Sequence, residues 1–279
     1  MLIAKTIAVV AVAASFGGFT ATAAQAVQAD KPAFEKSRAA CMKEQGLSYT
    51  PEDGVKGEPT KEEKARLAGD YEALRAYRSK YGFGVWSVLV FPKDPVVNPE
   101  SGVSRNHDML SKLSASELKT WRAADDKCFA KAIKAVTGKS VTSQRDLVEK
   151  VNAAERKGLR AVDSDKKIAA LGKQFASCLK VTETRPTVLA ARGRAAFAKE
   201  ATEVAKAQGH GKLPDALEGK EYTTLPKLTP EEAKPYLDRE VEAALTDLEC
   251  GKAFYQAYAP RARAVQERVY REYALGLAL

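Results

Sequence analysis

The chain has 279 residues, a formal net charge of +9 and 29% charged side chains. This length is enough for one large domain or two ordinary ones. The positive charge favours anionic partners, but few aromatic residues are interleaved with the arginines, which argues against a nucleic-acid-binding protein. All four cysteines are isolated in the sequence. Because structural zinc sites use ligand pairs roughly two to four residues apart, no metal site is expected.

The N-terminal segment, residues 1–26, has the pattern of a secretory signal peptide. An apolar run leads to small residues at 24–26, which fit a cleavage site that leaves Val27 as the first mature residue. The alternative is an uncleaved membrane anchor, but the run is short and is broken by Gly17 and Gly18, whereas a spanning helix needs about 20 apolar residues. The sequence contains no later membrane span and no cysteine near the cleavage site for lipid attachment.

Helix signals dominate the first half of the chain. Thr60 with Glu63 and Ser114 with Glu117 form capping boxes, in which each side chain bonds the backbone of the other residue. Apolar residues at helical spacing follow each box, which predicts one helix continuing to Tyr81 and a second that carries Cys128 and ends at Gly138. Another helix is predicted to open at Ser143 with Asp146.

The second half continues the helical pattern. Apolar stripes predict a helix from Ile168 to Cys178 and another from Leu189 that stops at Gly209. Thr229 and Pro230 mark a further helix start, since proline suits the first helical position. Pro235 is predicted to kink or restart this helix, and a final amphipathic helix is predicted after Pro260.

Two stretches resist a helical interpretation. Residues 81–106 are rich in glycine, proline and β-branched side chains, which predicts a long loop with a short strand around 85–91. Residues 209–228 form a second long loop in the other half. Long ordered loops on a helical scaffold often form binding surfaces, although they are as often mere connections.

The two halves resemble each other around their cysteines. Met42-Lys43 follows Cys41 as Leu179-Lys180 follows Cys178, while Asp125 and Asp247 each precede a cysteine by three residues. The expected fold is therefore all-α, with two tandem, diverged, disulfide-linked helical units and long loops. The expected boundaries are 27–160 for the first helical unit and 161–279 for the second.

Four cysteines allow three pairings. If the halves are equivalent units, the simplest pairing joins Cys41 to Cys128 and Cys178 to Cys250. Each bond would close a long loop of the unfolded chain, for which the loop-entropy model gives about 4 to 5 kcal/mol as an upper estimate.

Short motifs of the chain resemble a group of secreted proteins and lipoproteins of actinobacteria. They are CMxxxG at Cys41, YGFG at 81–84, the LSxxE…W run from Leu113 to Trp121, DxxC at Cys128 and FxxCL at 175–179. The chain departs from that group in lacking a lipobox cysteine and in having CLKVTETRP where a glycine would follow the cysteine. The resemblance implies export, a helical fold and an actinobacterial source, but no chemistry.

Few polar residues are candidates for function. Asp125 and Asp247 are interpreted as structural partners for an arginine rather than as catalytic groups. Solvated helix faces account for most of the charge. The candidate binding residues are two loop histidines and four arginines: His107, His210, Arg192, Arg194, Arg268 and Arg271.

No catalytic motif, phosphate-binding loop or nucleotide fingerprint is present, so no catalytic residue, cofactor or metal is assigned. The expected function is that of an exported, non-enzymatic interaction module, secreted or associated with the cell envelope, whose partner is an anionic cell-wall polymer or another secreted protein. One alternative is an envelope hydrolase with a site between the two units that uses His107, Asp108 and His210. Another is a plain structural factor of the envelope.

Overall fold

The computed structural model describes residues 10–11, 21–52, 59–98, 104–209 and 222–273, and it confirms an all-α fold with two disulfides. The helices are α1 (Ala21–Glu44), α2 (Lys61–Leu67), α3 (Tyr71–Tyr81), α4 (Ser87–Val90), α5 (His107–Leu110), α6 (Ala115–Thr137), α7 (Gln144–Asp163), α8 (Lys166–Cys178), α9 (Pro186–Ala207) and α10 (Pro230–Glu272). Two short strands, β1 (Val10–Ala11) and β2 (Tyr222–Thr223), pair antiparallel, with Val10 opposite Thr223.

The predicted helix ends around α6 are confirmed. Ser114 accepts a hydrogen bond from the backbone N–H of Glu117, and the Glu117 carboxylate accepts one from the N–H of Ser114. Gly138 ends the helix with φ of +69°, a left-handed conformation that glycine adopts at little cost. The start of α7 is confirmed as well, because Ser143 accepts from the N–H of Asp146.

The single helix predicted from Thr60 to Tyr81 is in fact two helices. Gly69 has φ of +79° and follows α2, and the Asp70 side chain then caps α3 by accepting from the N–H of Ala73. A side chain at Gly69 would meet the carbonyl oxygen of Tyr255 at 2.5 Å. The interruption therefore lets the backbone of this turn approach α10 closely.

The short strand predicted around 85–91 is wrong. This segment contains α4, and the side-chain amide of Asn98 donates to the carbonyl oxygens of Val88 and Phe91. The apolar residues that suggested a strand are buried or partly buried in a cluster with residues of α9 and α10 instead. The preference of these residues for strands is outweighed here by their packing against other helices, as is common for short apolar runs.

The predicted break after Pro260 is also wrong. α10 is continuous over 43 residues, with both Pro235 and Pro260 inside it. A proline in a helix removes one backbone hydrogen bond. Tyr258, Ala259 and Ala262 flank Pro260 and are all buried, so tertiary packing holds the helix together at this point.

The residues of the structure group by their contacts into two compact units, each discontinuous in sequence, while the boundaries of 27–160 and 161–279 stay a prediction. The unit with the first disulfide, here the Cys41 unit, comprises residues 17–64, 101–161 and 261–279. The Cys178 unit comprises 1–16, 65–100 and 162–260. Each unit therefore takes segments from both halves of the chain. The proposed sequence duplication stays a prediction, because contacts do not test common ancestry.

In the Cys41 unit, α1 packs along α6. Phe34 of α1 meets Phe129 of α6 edge-on, with ring centroids 5.6 Å apart. Leu147 and Val269 belong to the same buried cluster. Val269 belongs to the C-terminal part of α10, which explains why residues 261–279 group with this unit.

The Cys178 unit has an aromatic core. Phe175 of α8 stacks on Phe254 of α10 at 5.1 Å, and Tyr255 meets Phe175 edge-on at 5.6 Å. A second buried cluster stacks Trp86 on Tyr236 at 4.2 Å. Trp86 comes from the segment 65–100, so this segment groups with the second half of the chain.

Among the described residues, no helix combines the length and the apolar content that crossing a bilayer requires.

Candidate functional site

The predicted disulfide pairing is confirmed. Cys41 bonds to Cys128, and Cys178 bonds to Cys250, with Cα atoms 5.5 Å apart in each pair. Each bond lies within one compact unit. The first joins α1 to α6 and the second joins α8 to α10.

Each of the two recurring aspartates binds an arginine, as predicted, but only Asp125 binds one from the helix to which its disulfide is joined. Asp125 accepts two hydrogen bonds of 2.7 Å from Arg38, which lies on the other helix of its disulfide pair. Asp247 accepts from Arg78 at 2.6 Å and from the Tyr255 hydroxyl at 2.7 Å. Burial alone would lower the pKa of Arg78, but the neighbouring Tyr255 and Asp247 raise it, so the guanidinium stays charged.

The histidines form no described site. His107 is the first residue of α5, and both His107 and Asp108 are exposed. His210 lies outside the described residues. In the parts of the chain that the structure describes, no group of three or more histidine, cysteine or acidic residues could hold a metal ion.

The four candidate arginines have different surroundings. Arg194 of α9 is half-buried and donates to the carbonyl oxygens of Phe83 at 2.9 Å and Gly84 at 3.3 Å, so it supports this turn. Arg192 is exposed on the same helix. Arg268 and Arg271 are exposed near the end of α10, in the Cys41 unit.

In the Cys41 unit, α7 packs against the end of α10. α7 and the end of α10 meet where a Cβ at Gly158 would lie 2.4 Å from Cγ1 of Val265 and 3.1 Å from a guanidinium nitrogen of Arg268. These two helix segments carry exposed cations. We call the set the α7/α10 basic surface: Arg156, Lys157, Arg160, Arg261, Arg268 and Arg271.

Two carboxylates near the end of α10 pair with cations outside the α7/α10 basic surface. Glu267 pairs with Arg263 at 2.6 Å, and Glu272 pairs with Lys139 at 2.5 Å. Glu155 is half-buried, and burial raises its pKa, which disfavours its negative charge. These three carboxylates therefore offset little of the positive charge of the α7/α10 basic surface, in which Arg160 and Arg261 also make interactions of their own.

A buried carboxylate in the Cys178 unit has no signal in the sequence. Glu240 of α10 is fully buried, and its two oxygens accept from the backbone N–H groups of Val85 at 2.9 Å and Trp86 at 2.8 Å. A Cβ at Gly82, where φ is +61°, would lie 2.6 Å from Cγ of Glu240. The YGFG motif thus forms a turn, as expected, and it also packs against this carboxylate. We call the segment 82–86, which contacts the Glu240 side chain, the Glu240 cradle.

Burial raises the pKa of Glu240 to about 7, although the backbone hydrogen bonds of the cradle act in the opposite direction. Two further groups face this carboxylate from neighbouring helices. The charge of Arg194 lowers the pKa of Glu240, and the negative charge of the Glu240 carboxylate raises the pKa of Tyr77. The site is closed and internal, so it suits a structural role.

Sequence reasoning missed the contribution of α7 to the basic surface. It placed positive charge in the second half of the chain and named Arg268 and Arg271, but Arg156 and Lys157 belong to the first half. The cluster ERKGLR at 155–160 was a local signal for them. Only the packing at Gly158 shows that the helix carrying these residues is in contact with the helix carrying Arg268 and Arg271.

Comparison with family models, with curated proteins and with solved structures finds no match for the chain.

Proposed function

We propose that the chain is an exported, non-enzymatic helical protein that binds an anionic polymer of the cell envelope through the α7/α10 basic surface. The observation that carries the proposal is the excess of exposed cations on two contacting helices of one unit. Clustered charges of one sign raise the local concentration of oppositely charged ligands.

Export is supported by the cysteines. Both disulfides join helices far apart in sequence, and bonds of this kind persist in oxidising compartments outside the cytoplasm. The N-terminal segment adds the pattern of a cleavable signal. N-terminal sequencing of protein recovered outside the cell is expected to begin at Val27, whereas an intact first residue would contradict cleavage.

A non-enzymatic role is supported by the contacts of three carboxylates, two of them buried and one half-buried. Asp125 and Asp247 each hold an arginine, and Glu240 is enclosed by backbone N–H groups. A general acid or base must reach the proton that it transfers. Since these three groups are bound to the protein itself, they fit structural roles better than catalytic ones.

The test uses long-chain polyphosphate as a defined polyanion and measures its affinity for the full chain. A triple variant, Arg156→Glu, Lys157→Glu and Arg271→Glu, reverses three exposed cations of the surface. We expect affinity to fall at least tenfold, and binding by the unaltered chain to weaken as salt is raised, because salt screens exposed charges.

A matched control separates the position of the charges from the net charge. Lys119→Glu, Arg122→Glu and Lys127→Glu reverse three exposed cations on α6 of the same unit and change the net charge equally. The control is expected to keep most of the affinity. Equal losses in the two variants would mean that overall charge, and not the α7/α10 basic surface, attracts the polymer.

A further inference from the structure

The two disulfides differ in their access to solvent. Cys41 is 7% exposed and Cys128 is 0% exposed, so the first bond is sealed inside the Cys41 unit. Cys178 is exposed and Cys250 is half-buried. Because thiol–disulfide exchange requires direct access of a thiolate to a sulfur atom, only the second bond is open to this reaction in the folded protein.

The positions of the two accessible cysteines select which sulfur is attacked. Cys178 is the last residue of α8, whereas Cys250 lies in the interior of α10. The carboxyl end of a helix carries partial negative charge, which disfavours a thiolate there. Attack on the more exposed Cys178 releases Cys250 as the leaving thiolate, which avoids placing a negative charge at the end of α8.

Basic residues accompany both cysteines. Lys180 and Lys252 each follow a cysteine by two residues, and both are exposed. Exposed cations near the bond favour the approach of an anionic thiol from solvent.

The contacts around the bond hold α8 on α10 without it. Phe175, one helical turn before Cys178, stacks on Phe254 and meets Tyr255, and a Cβ at Gly251 would touch the Phe175 ring at 3.0 Å. Tyr255 is in turn bonded to Asp247. Opening the bond therefore leaves this aromatic core in place.

We propose that Cys178–Cys250 is a thiol-exchange site at which a low-molecular-weight thiol is attached reversibly to Cys178. The thiolate attacks Sγ of Cys178, a new S–S bond forms to the small thiol, and the Cys178–Cys250 bond breaks. The electron pair goes to Sγ of Cys250, which takes a proton from water. In the reverse step the Cys250 thiolate attacks the mixed disulfide and releases the small thiol.

The test incubates the native full chain with reduced glutathione, quenches with acid, alkylates free thiols with iodoacetamide and maps the peptides. We expect glutathione on Cys178, alkylation on Cys250 and an intact Cys41–Cys128 bond, with the second bond opening at least tenfold faster than the first. In denaturant both bonds are expected to open at similar rates. That result would show that the folded structure causes the difference in opening rate between the two bonds.

Three results would overturn the proposal. They are glutathione attached first to Cys250, equal opening of both bonds in the native protein, and no opening until denaturant is added. Far-UV circular dichroism of the adduct provides the check on folding. The adduct is expected to keep its helical signal, because the aromatic core around Phe175 does not depend on the bond.

Discussion

Arg78 donates to Oδ1 of Asp247 at 2.6 Å, and both side chains are more than nine-tenths buried. The same aspartate oxygen accepts from Tyr255, while the same guanidinium nitrogen of Arg78 donates to the carbonyl of Ala244 at 3.0 Å. Removing one partner of such a pair leaves an uncompensated charge in the interior, and the cost is about 3 to 5 kcal/mol.

Asp247→Asn and Arg78→Met are therefore each expected to lower the free energy of unfolding by about 3 kcal/mol or more, measured by urea denaturation. Asp238→Asn is the matched control, because Asp238 pairs with Lys234 on the surface of the same helix. Exposed pairs contribute little, so the control is expected to unfold almost as the unaltered chain does. Equal destabilisation by Asp247→Asn and Asp238→Asn would contradict the role given to burial.

The Glu240 cradle makes stability depend on pH. The pKa of Glu240 is raised by burial to about 7 from an ordinary value of 4.5, so the folded protein holds this proton more tightly than the unfolded chain. The resulting stability is fully present below about pH 4.5 and is lost as pH rises through about 7.

We expect the free energy of unfolding to fall by up to about 3 kcal/mol across that range relative to Glu240→Gln, which cannot ionise. Urea denaturation of both proteins at pH 4.5, 6 and 8 measures the difference. Parallel pH profiles for the two proteins would show that Glu240 titrates normally.

Gly193 marks a close contact between α9 and the YGFG turn. A Cβ at this position would lie 2.2 Å from Cζ of Phe83, so the ring would have to move. Alanine favours helix over glycine by about 1 kcal/mol, yet overpacking costs about 1 to 3 kcal/mol.

Gly193→Ala is thus expected to lower the melting temperature despite its better helix propensity. Combining it with Phe83→Leu makes room for the methyl group and is expected to recover part of the loss. The steric explanation fails if Gly193→Ala melts at the same temperature or higher.

The discontinuous units predict the behaviour of a cut chain. A protease recognition sequence inserted at Ser164, between α7 and α8, allows cleavage at a point that neither disulfide crosses. Residues 65–100 group with the second piece and residues 261–279 group with the first. The pieces are expected to co-elute in size-exclusion chromatography without denaturant and to separate in urea, whereas separation without urea would contradict the interleaved arrangement.

The sequence predicted local features of the fold well, because local interactions determine them. The Ser114 capping box and the left-handed Gly138 depend on residues a few positions apart. The disulfide pairing followed from the resemblance of the two halves. The discontinuous units were not predictable in this way, since the Arg78–Asp247 contact spans 169 residues and neither residue signals its partner.

The candidate site was predicted only in part. Arg268 and Arg271 were identified from charge alone, and their neighbours on α7 were not. The two helices meet at Gly158 and Val265, which are more than 100 residues apart in the sequence. The helices can approach this closely because glycine has no side chain. The helix break predicted after Pro260 is wrong for a related reason. A rule based on proline alone does not include the burial of the residues on either side of it.

The complete burial of Cys128 imposes an order on the maturation of the protein. Once α1 has closed over α6, no oxidant or isomerase reaches these two sulfur atoms. We therefore expect the bond between Cys41 and Cys128 to form before this packing is complete, since a chain that packed first would enclose two thiols. In this unit, oxidation of Cys41 and Cys128 is thus expected to precede the packing of α1 on α6.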